Sequence, residues 1–155
     1  MRKRSKYRPR PIHVDNINYV ISGFKKAGTL PDIGVNLKLK NHEALDSLVK
    51  GTATKADLEI LIEAFNMAEA MYKNYPELGA EWSREIRLGQ DALLALSQRG
   101  LKTNHFIGYG PELLAIRQTM EIHDAQLDEC TVAQMEKSLR YVWDAVIHKR
   151  TRQVA

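Results

Sequence analysis

The chain has a single cysteine, Cys130, among its 155 residues. That excludes an intramolecular disulfide framework and any cysteine-rich zinc module. Long hydrophobic runs are absent too. The longest unbroken apolar stretch is the five residues Ala92–Leu96, far short of the length that spans a bilayer. The first ten residues contain no acid and no apolar stretch follows them, so they do not read as a secretory leader. A soluble product in a reducing, cytoplasmic compartment is expected. No Gly-Lys-Ser/Thr phosphate loop occurs, and Gly108-Tyr109-Gly110 lacks both a third glycine and a preceding strand pattern, which leaves only a weak nucleotide signal. None of the five histidines has a glutamate three positions before it. Arg10, Leu39, Lys102, Met120 and Ala145 stand there, ahead of His13, His42, His105, His123 and His148. The paired Glu-x-x-His spacing of a di-iron helical bundle is therefore missing, and neither a metal nor a cofactor is expected.

What the chain does have is enough apolar residues for one core. Leu, Ile, Val and Phe make up a quarter of it, too much for wholesale disorder. Its charge is unevenly placed. The formal net charge is +4, yet residues 1–10 alone carry Arg2, Lys3, Arg4, Lys6, Arg8 and Arg10, or +6. Between residues 11 and 148 the balance is −5, and Lys149, Arg150 and Arg152 form a second, smaller basic end. The high pI thus comes from the termini of an otherwise mildly acidic body. Self-repulsion and the prolines at 9 and 11 oppose a helix in the leading segment, which predicts an extended, flexible arm over 1–11. Its cations suit phosphates, releasing counterions as they bind, and Tyr7 suits stacking on a base. The same cations also suit contact with a protein partner or with the chain's own acidic body, or serve only solubility.

Hydrophobic periodicity predicts helices along the rest of the chain. Asp15 caps a short one over 16–24, with Ile17, Val20, Ile21 and Phe24 on one side. Residues 25–40 read as a loop laid over the body, in which Val35, Leu37 and Leu39 alternate as a short extended piece. Asn41 then caps a short helix over 42–50 that closes at Gly51. Thr54 and Asp57 form a relaxed capping box for a helix from 55 to about 74, stopped by Pro76. This helix carries two apolar stripes, Leu58, Leu61, Ile62, Phe65, Ala68 and Tyr72, and Ile60, Ala64, Met67 and Met71, so it is the central element. The next runs over 81–99, ends at Gly100, and places Gly89 in its interior, which implies a close helix crossing, under an aromatic ring. Pro111 suits the first turn of a helix to about Leu127, and the pair Thr131 and Gln134 opens the last one. Val132, Met135, Leu139, Val142, Trp143, Val146 and Ile147 give that helix the cleanest apolar stripe in the chain. The predicted fold class is an all-α, single-domain bundle of about four main helices and two short ones. It divides into a basic arm over 1–11, a bundle over 12–150 and a tail over 151–155.

Several residues invite a chemical reading. His123 sits within an apolar stripe, where burial tunes a proton acceptor; a structural histidine bonded to a neighbour fits the position equally. Glu121, Asp124 and Asp128 share one helix face, which describes either an oxygen-ligand cation site or a solvated acidic face. Cys130, beside Asp128 and Glu129, makes a poor thiolate. Glu59 and Glu63 form a carboxylate pair or a solvated ridge. A reaction would require His123 and a carboxylate such as Glu59, Glu63 or Asp124 in one pocket, and no enzyme is expected. The loop over 101–110 holds His105, Phe106 and Tyr109, a partner-docking patch, with packing of Phe106 and Ile107 into the core as the competing account. Met67, Met71 and Ile60 offer an adaptable helical face for a protein partner, or belong to the core.

Lys6-Tyr7-Arg8-Pro9-Arg10-Pro11, followed by Asp15 and Tyr19-Val20-Ile21-Ser22-Gly23, together with Gln90-Asp91-Ala92-Leu93-Leu94-Ala95-Leu96 and His123-Asp124-Ala125-Gln126-Leu127-Asp128, resemble small proteins encoded by phages and prophages of Gram-negative bacteria. The resemblance extends over most of the chain. It implies a phage-encoded protein in the cytoplasm of the host bacterium and carries over no catalytic residues. The expected function is that of a non-enzymatic accessory protein binding a macromolecule, with Arg2, Lys3, Arg4, Lys6, Tyr7, Arg8 and Arg10 contacting nucleic acid. The alternative is a protein-interaction or assembly module, a modulator of host protein, acting through a helical face. No membrane contact is expected, and association with a second copy is left open.

Overall fold

A computed structural model of the chain describes residues 36–148. Among them are five α-helices, α1 (Asn36–Lys50), α2 (Lys55–Asn74), α3 (Ser83–Thr103), α4 (Gly110–Glu129) and α5 (Val132–Ile147), with short 3₁₀ turns at Pro76–Leu78 and Ala80–Trp82 and no strand. The all-α bundle expected from the hydrophobic pattern is what is observed. The arm over 1–11, the helix over 16–24, residues 25–35 of the loop, Lys149, Arg150, and the tail over 151–155 lie outside the described residues.

α2 forms where its signals predict. The Asp57 carboxylate accepts from the Thr54 N–H at 2.7 Å, while the Thr54 hydroxyl oxygen accepts from the Asp57 N–H at 3.4 Å, so two otherwise orphaned donors are satisfied reciprocally. Both of its apolar stripes are buried, with Leu61, Phe65, Ala68 and Met71 fully excluded from water. It packs against all four other helices, as a helix that is apolar on two sides must. One core gathers Leu45, Leu48, Leu58, Leu61, Phe65, Leu93, Leu96, Ile116 and Met120. A second, at the other end of α2, gathers Met67, Met71, Leu78, Leu127, Cys130 and Met135.

Two boundaries differ from expectation, each for a packing reason. Leu37 and Leu39 are not an extended piece; they lie in α1, which starts six residues before the predicted helix, and Asn41 is a buried interior residue rather than a cap. Leu37, Asn41, Ala44 and Leu48 fall on one helical stripe, and the polar side chain at its second position disguised it. α1 does close at Gly51, whose φ of 74° needs no Cβ. The Gly51 N–H bonds to the Leu48 carbonyl at 3.1 Å and the Thr52 N–H to the Ser47 carbonyl at 2.9 Å, a Schellman closure. α3 runs through Gly100 to Thr103, and Asn104 takes the left-handed turn at φ 57°.

The glycines of α3 are packing positions. Gly89 marks the expected crossing, but its neighbour is Thr119 of α4, not an aromatic ring: a Cβ at 89 would lie 2.1 Å from the Thr119 hydroxyl oxygen. The ring lies over Gly100 instead, where a Cβ would meet Phe106 at 2.1 Å. Among the described residues no helix is long and apolar enough to cross a membrane.

Candidate interaction surfaces

α5 is fixed at its start by a reciprocal cap. The Gln134 side-chain oxygen accepts from the Thr131 N–H at 2.9 Å, and the Thr131 hydroxyl oxygen from the Gln134 N–H at 3.2 Å. Beyond the cap, the helix buries less of its apolar stripe than the sequence pattern implies. The residues that α5 turns inward are Val132, Met135, Ser138 and Ala145, with Val142 partly buried. Small side chains at 138 and 145 let the helix lie close against its neighbour. The large ones on the adjoining strip stay outside: Leu139 is 46% exposed, Trp143 63%, Val146 48% and Ile147 70%. The bundle therefore covers only part of the apolar arc of α5, and the side with Leu139, Trp143, Val146 and Ile147 stays largely exposed. A contiguous apolar strip of this kind marks a contact surface. Met67 and Met71 are core, and Ile60 is partly buried, so the face anticipated on α2 is not available to a partner.

Two clefts flank the bundle. The first, about 330 Å³, lies between α2, α3 and α5 and includes Phe65, Glu69, Lys73, Arg87, Gln90 and Tyr141. Its one carboxylate, Glu69, is paired with Lys73. Burial acts to raise the Glu69 carboxyl, but hydrogen bonds from Lys73 and Gln90 outweigh it and hold the group below the usual carboxylate range. Lys73 stands 2.7 Å away and the Gln90 amide 3.0 Å. The second cleft, about 440 Å³, opens between the 3₁₀ turns and α4 and includes Glu77, Glu81, Trp82, Glu121, Ile122 and Glu129. Gln126 holds its inner wall: the buried amide donates to the Leu78 carbonyl at 2.7 Å and to the Ala68 carbonyl at 3.1 Å.

The loop residues separate. His105 is exposed, and Phe106 is buried over Gly100. Ile107 is 55% exposed and Tyr109 61%, so Ile107 does not pack into the core as the competing account had it. The Tyr109 ring stacks against the Arg99 guanidinium at 4.3 Å, and Arg99 grips Glu112 through two bonds of 2.7 and 2.6 Å. That fork, with the Tyr109 N–H donating to the same carboxylate at 3.0 Å, holds Glu112 below the usual carboxylate range and braces the loop. The seven arm residues, Arg2, Lys3, Arg4, Lys6, Tyr7, Arg8 and Arg10, lie outside the described residues.

Among the described residues, His123 and the candidate carboxylates Glu59, Glu63 and Asp124 do not meet in either cleft. His123 is fully buried, its Nδ1 3.4 Å from the Gln126 side-chain oxygen and its Nε2 without a partner. Burial lowers its pKa to about 4, so the ring is neutral near pH 7. Asp124 instead meets His42 at 2.6 Å, Asp128 pairs with Lys38, and Glu59 and Glu63 are exposed. The acidic face of α4 is thus partly an ion-paired seam to α1, and among the described residues no group of three His, Cys, Asp or Glu stands ready to hold a metal. Burial pushes the Cys130 thiol up to about 11. Neither cleft is bordered by His123, Asp124, Glu59, Glu63 or Cys130. The chain matches no protein-family model, no curated protein and no solved structure.

Proposed function

We propose that the protein is a non-catalytic binding module that takes a partner protein on the outer face of α5. The observation that carries this reading is the orientation of that helix: Ser138 and Ala145 face the bundle while Leu139, Trp143, Val146 and Ile147 face water. Exposing four large apolar side chains while burying small ones gains nothing for a protein that acts alone. A central tryptophan ringed by aliphatic side chains is the composition of an interface hot spot. In sequence the strip is followed by Lys149, Arg150 and Arg152, so the occupant that fits is an amphipathic helix with an acidic end, its apolar side laid along α5. With the resemblance to small phage-encoded proteins, the partner is a host or phage protein of the bacterial cytoplasm.

A second reading rests on the arm. Six of the first ten residues are cationic, whereas residues 36–148 hold 12 Lys and Arg against 17 Asp and Glu, so attraction to nucleic acid is concentrated at the leading end, with Lys149, Arg150 and Arg152 a smaller basic end. One experiment separates the two. A photo-crosslinking residue is placed in the full chain at Ile147, and for comparison at Leu114, which is 69% exposed on α4. In producing cells position 147 yields a protein adduct of one discrete mass, insensitive to nuclease and abolished by Trp143→Ser, and position 114 yields none. Equal labelling from both positions overturns the α5 reading. An adduct of two copies of this chain replaces the partner with self-association, and one that nuclease removes transfers the contact to nucleic acid.

A further inference from the structure

The cleft beside Trp82 stands apart electrostatically. Glu77, Glu81, Glu121 and Glu129 border it, and no Lys, Arg or His does. Several carboxylates elsewhere on the body are matched: Asp46 with Lys50, Glu69 with Lys73, Glu112 with Arg99, Asp128 with Lys38. Here Glu77 accepts only a long bond from the Gln134 amide at 3.5 Å, and Glu81 and Glu121 have no ion-pair partner among the described residues. Inside the ring of acids the surface is apolar, with Leu78 buried and Ile122 partly so, and Trp82 stands as a wall 46% exposed. Carboxylates gathered at the rim of one cleft, with no cation among its lining residues, favour the approach of a cationic ligand. A flat aromatic wall within a ring of carboxylates is the environment of a guanidinium, which stacks on the ring and forks to the acids.

Such a ligand is present in the chain itself. The described residues begin at the edge of this cleft. Leu37 packs into the cluster that contains Leu78, a lining residue, and Lys38 pairs with Asp128, the neighbour of Glu129. Residues 11–35 lie between this point and the arm in sequence, and a chain of that length, at up to roughly 3.3 Å per residue, is long enough to lead away and return. The arm carries +6 with no acid, and its prolines at 9 and 11 disfavour a helix, which suits an extended strip lying in a groove. Tethering makes the encounter intramolecular, at an effective concentration on the order of millimolar.

We propose that the cationic arm, residues 2–10, seats in its own chain's Trp82 cleft, with arginine side chains against the indole and the carboxylates. The self-contact does not depend on the α5 reading. It makes the arm available to phosphate only after release from the cleft, so salt and competing polyanions open the same contact.

The test uses the full chain and the two indole N–H resonances, Trp82 and Trp143, assigned with Trp143→Phe. Changing Arg2, Lys3, Arg4, Lys6, Arg8 and Arg10 to Gln shifts the Trp82 resonance and leaves that of Trp143 in place. Salt at about 1 M, where the Debye length is about 3 Å, moves the wild-type Trp82 signal the same way. In a background of Glu77→Gln, Glu81→Gln and Glu121→Gln, the arm substitutions cause no further shift. A Trp82 resonance that is identical with and without arm charge overturns the proposal. So does a shift that fades on dilution, which assigns the cleft to a second copy's arm.

Discussion

Gly89→Ala lowers the unfolding free energy by about 3 kcal/mol, although alanine is the better helix former by about 1 kcal/mol. The added methyl would stand 2.1 Å from the Thr119 hydroxyl oxygen and 2.7 Å from its Cβ. The first contact is relieved by turning the side chain; the second is not, because Cβ moves only with the backbone of α4. Rotation also breaks the bonds through which the Thr119 hydroxyl reaches the Ala115 and Glu85 carbonyls, at 2.9 and 3.0 Å, and Thr119 is fully buried, so the freed groups go unsatisfied. The α3–α4 contact therefore opens, beside the core residues Ile116 and Met120. Urea unfolding of the variant measures this. A midpoint at or above that of the wild type would mean that the two helices do not cross at this point.

Acid weakens the protein through His123 before any carboxylate is involved. The ring takes up a proton near 6.5 in the unfolded chain and only at about 4 in the folded one, chiefly because it is buried. Between those values the unfolded state holds more protons, so stability that is complete above pH 6.5 is lost as the pH falls toward 4, with no further loss from this group below. At about 1.4 kcal/mol per pH unit, the loss between pH 6.5 and 5 is about 2 kcal/mol. Glu69 and Glu112 have carboxyls held below their ordinary 4.5, so their contribution is present above that value and disappears only at lower pH, as each is titrated in the fold. Unfolding free energies of wild type and His123→Gln, measured from pH 7 to 5, separate the effects. The variant is less stable at pH 7 but nearly flat across this range, while the wild type declines. Parallel curves would show that His123 is not protected from protons.

How far this structure could be read in advance depended on whether the signal was local. α2 was placed from residue 55 to 74 because Thr54, Asp57 and Pro76 act on their own backbone, and α5 was opened by Thr131 and Gln134 for the same reason. α1 was read short because Asn41, a buried polar residue, resembles a cap to any local rule. Gly100 resembled a stop, but its role depends on Phe106 folding back over it. The candidate surfaces lay further from reach. Periodicity identified α5 as amphipathic without saying how much of its apolar arc a neighbour would cover, and the small residues at 138 and 145 were the overlooked sign. The acidic cleft draws on two 3₁₀ turns and the far side of α4, and no local pattern links Glu77 and Glu81 to Glu121.

If the outer strip of α5 serves a partner, as proposed, the fold does not depend on it, and the unfolding free energy of the combined Leu139→Ser, Trp143→Ser and Val146→Ser variant tests that most directly. With all three side chains about half exposed, the variant unfolds within about 2 kcal/mol of the wild type. A loss beyond about 5 kcal/mol, the sum expected for truncating buried side chains, would show that the strip is core and contradict the account.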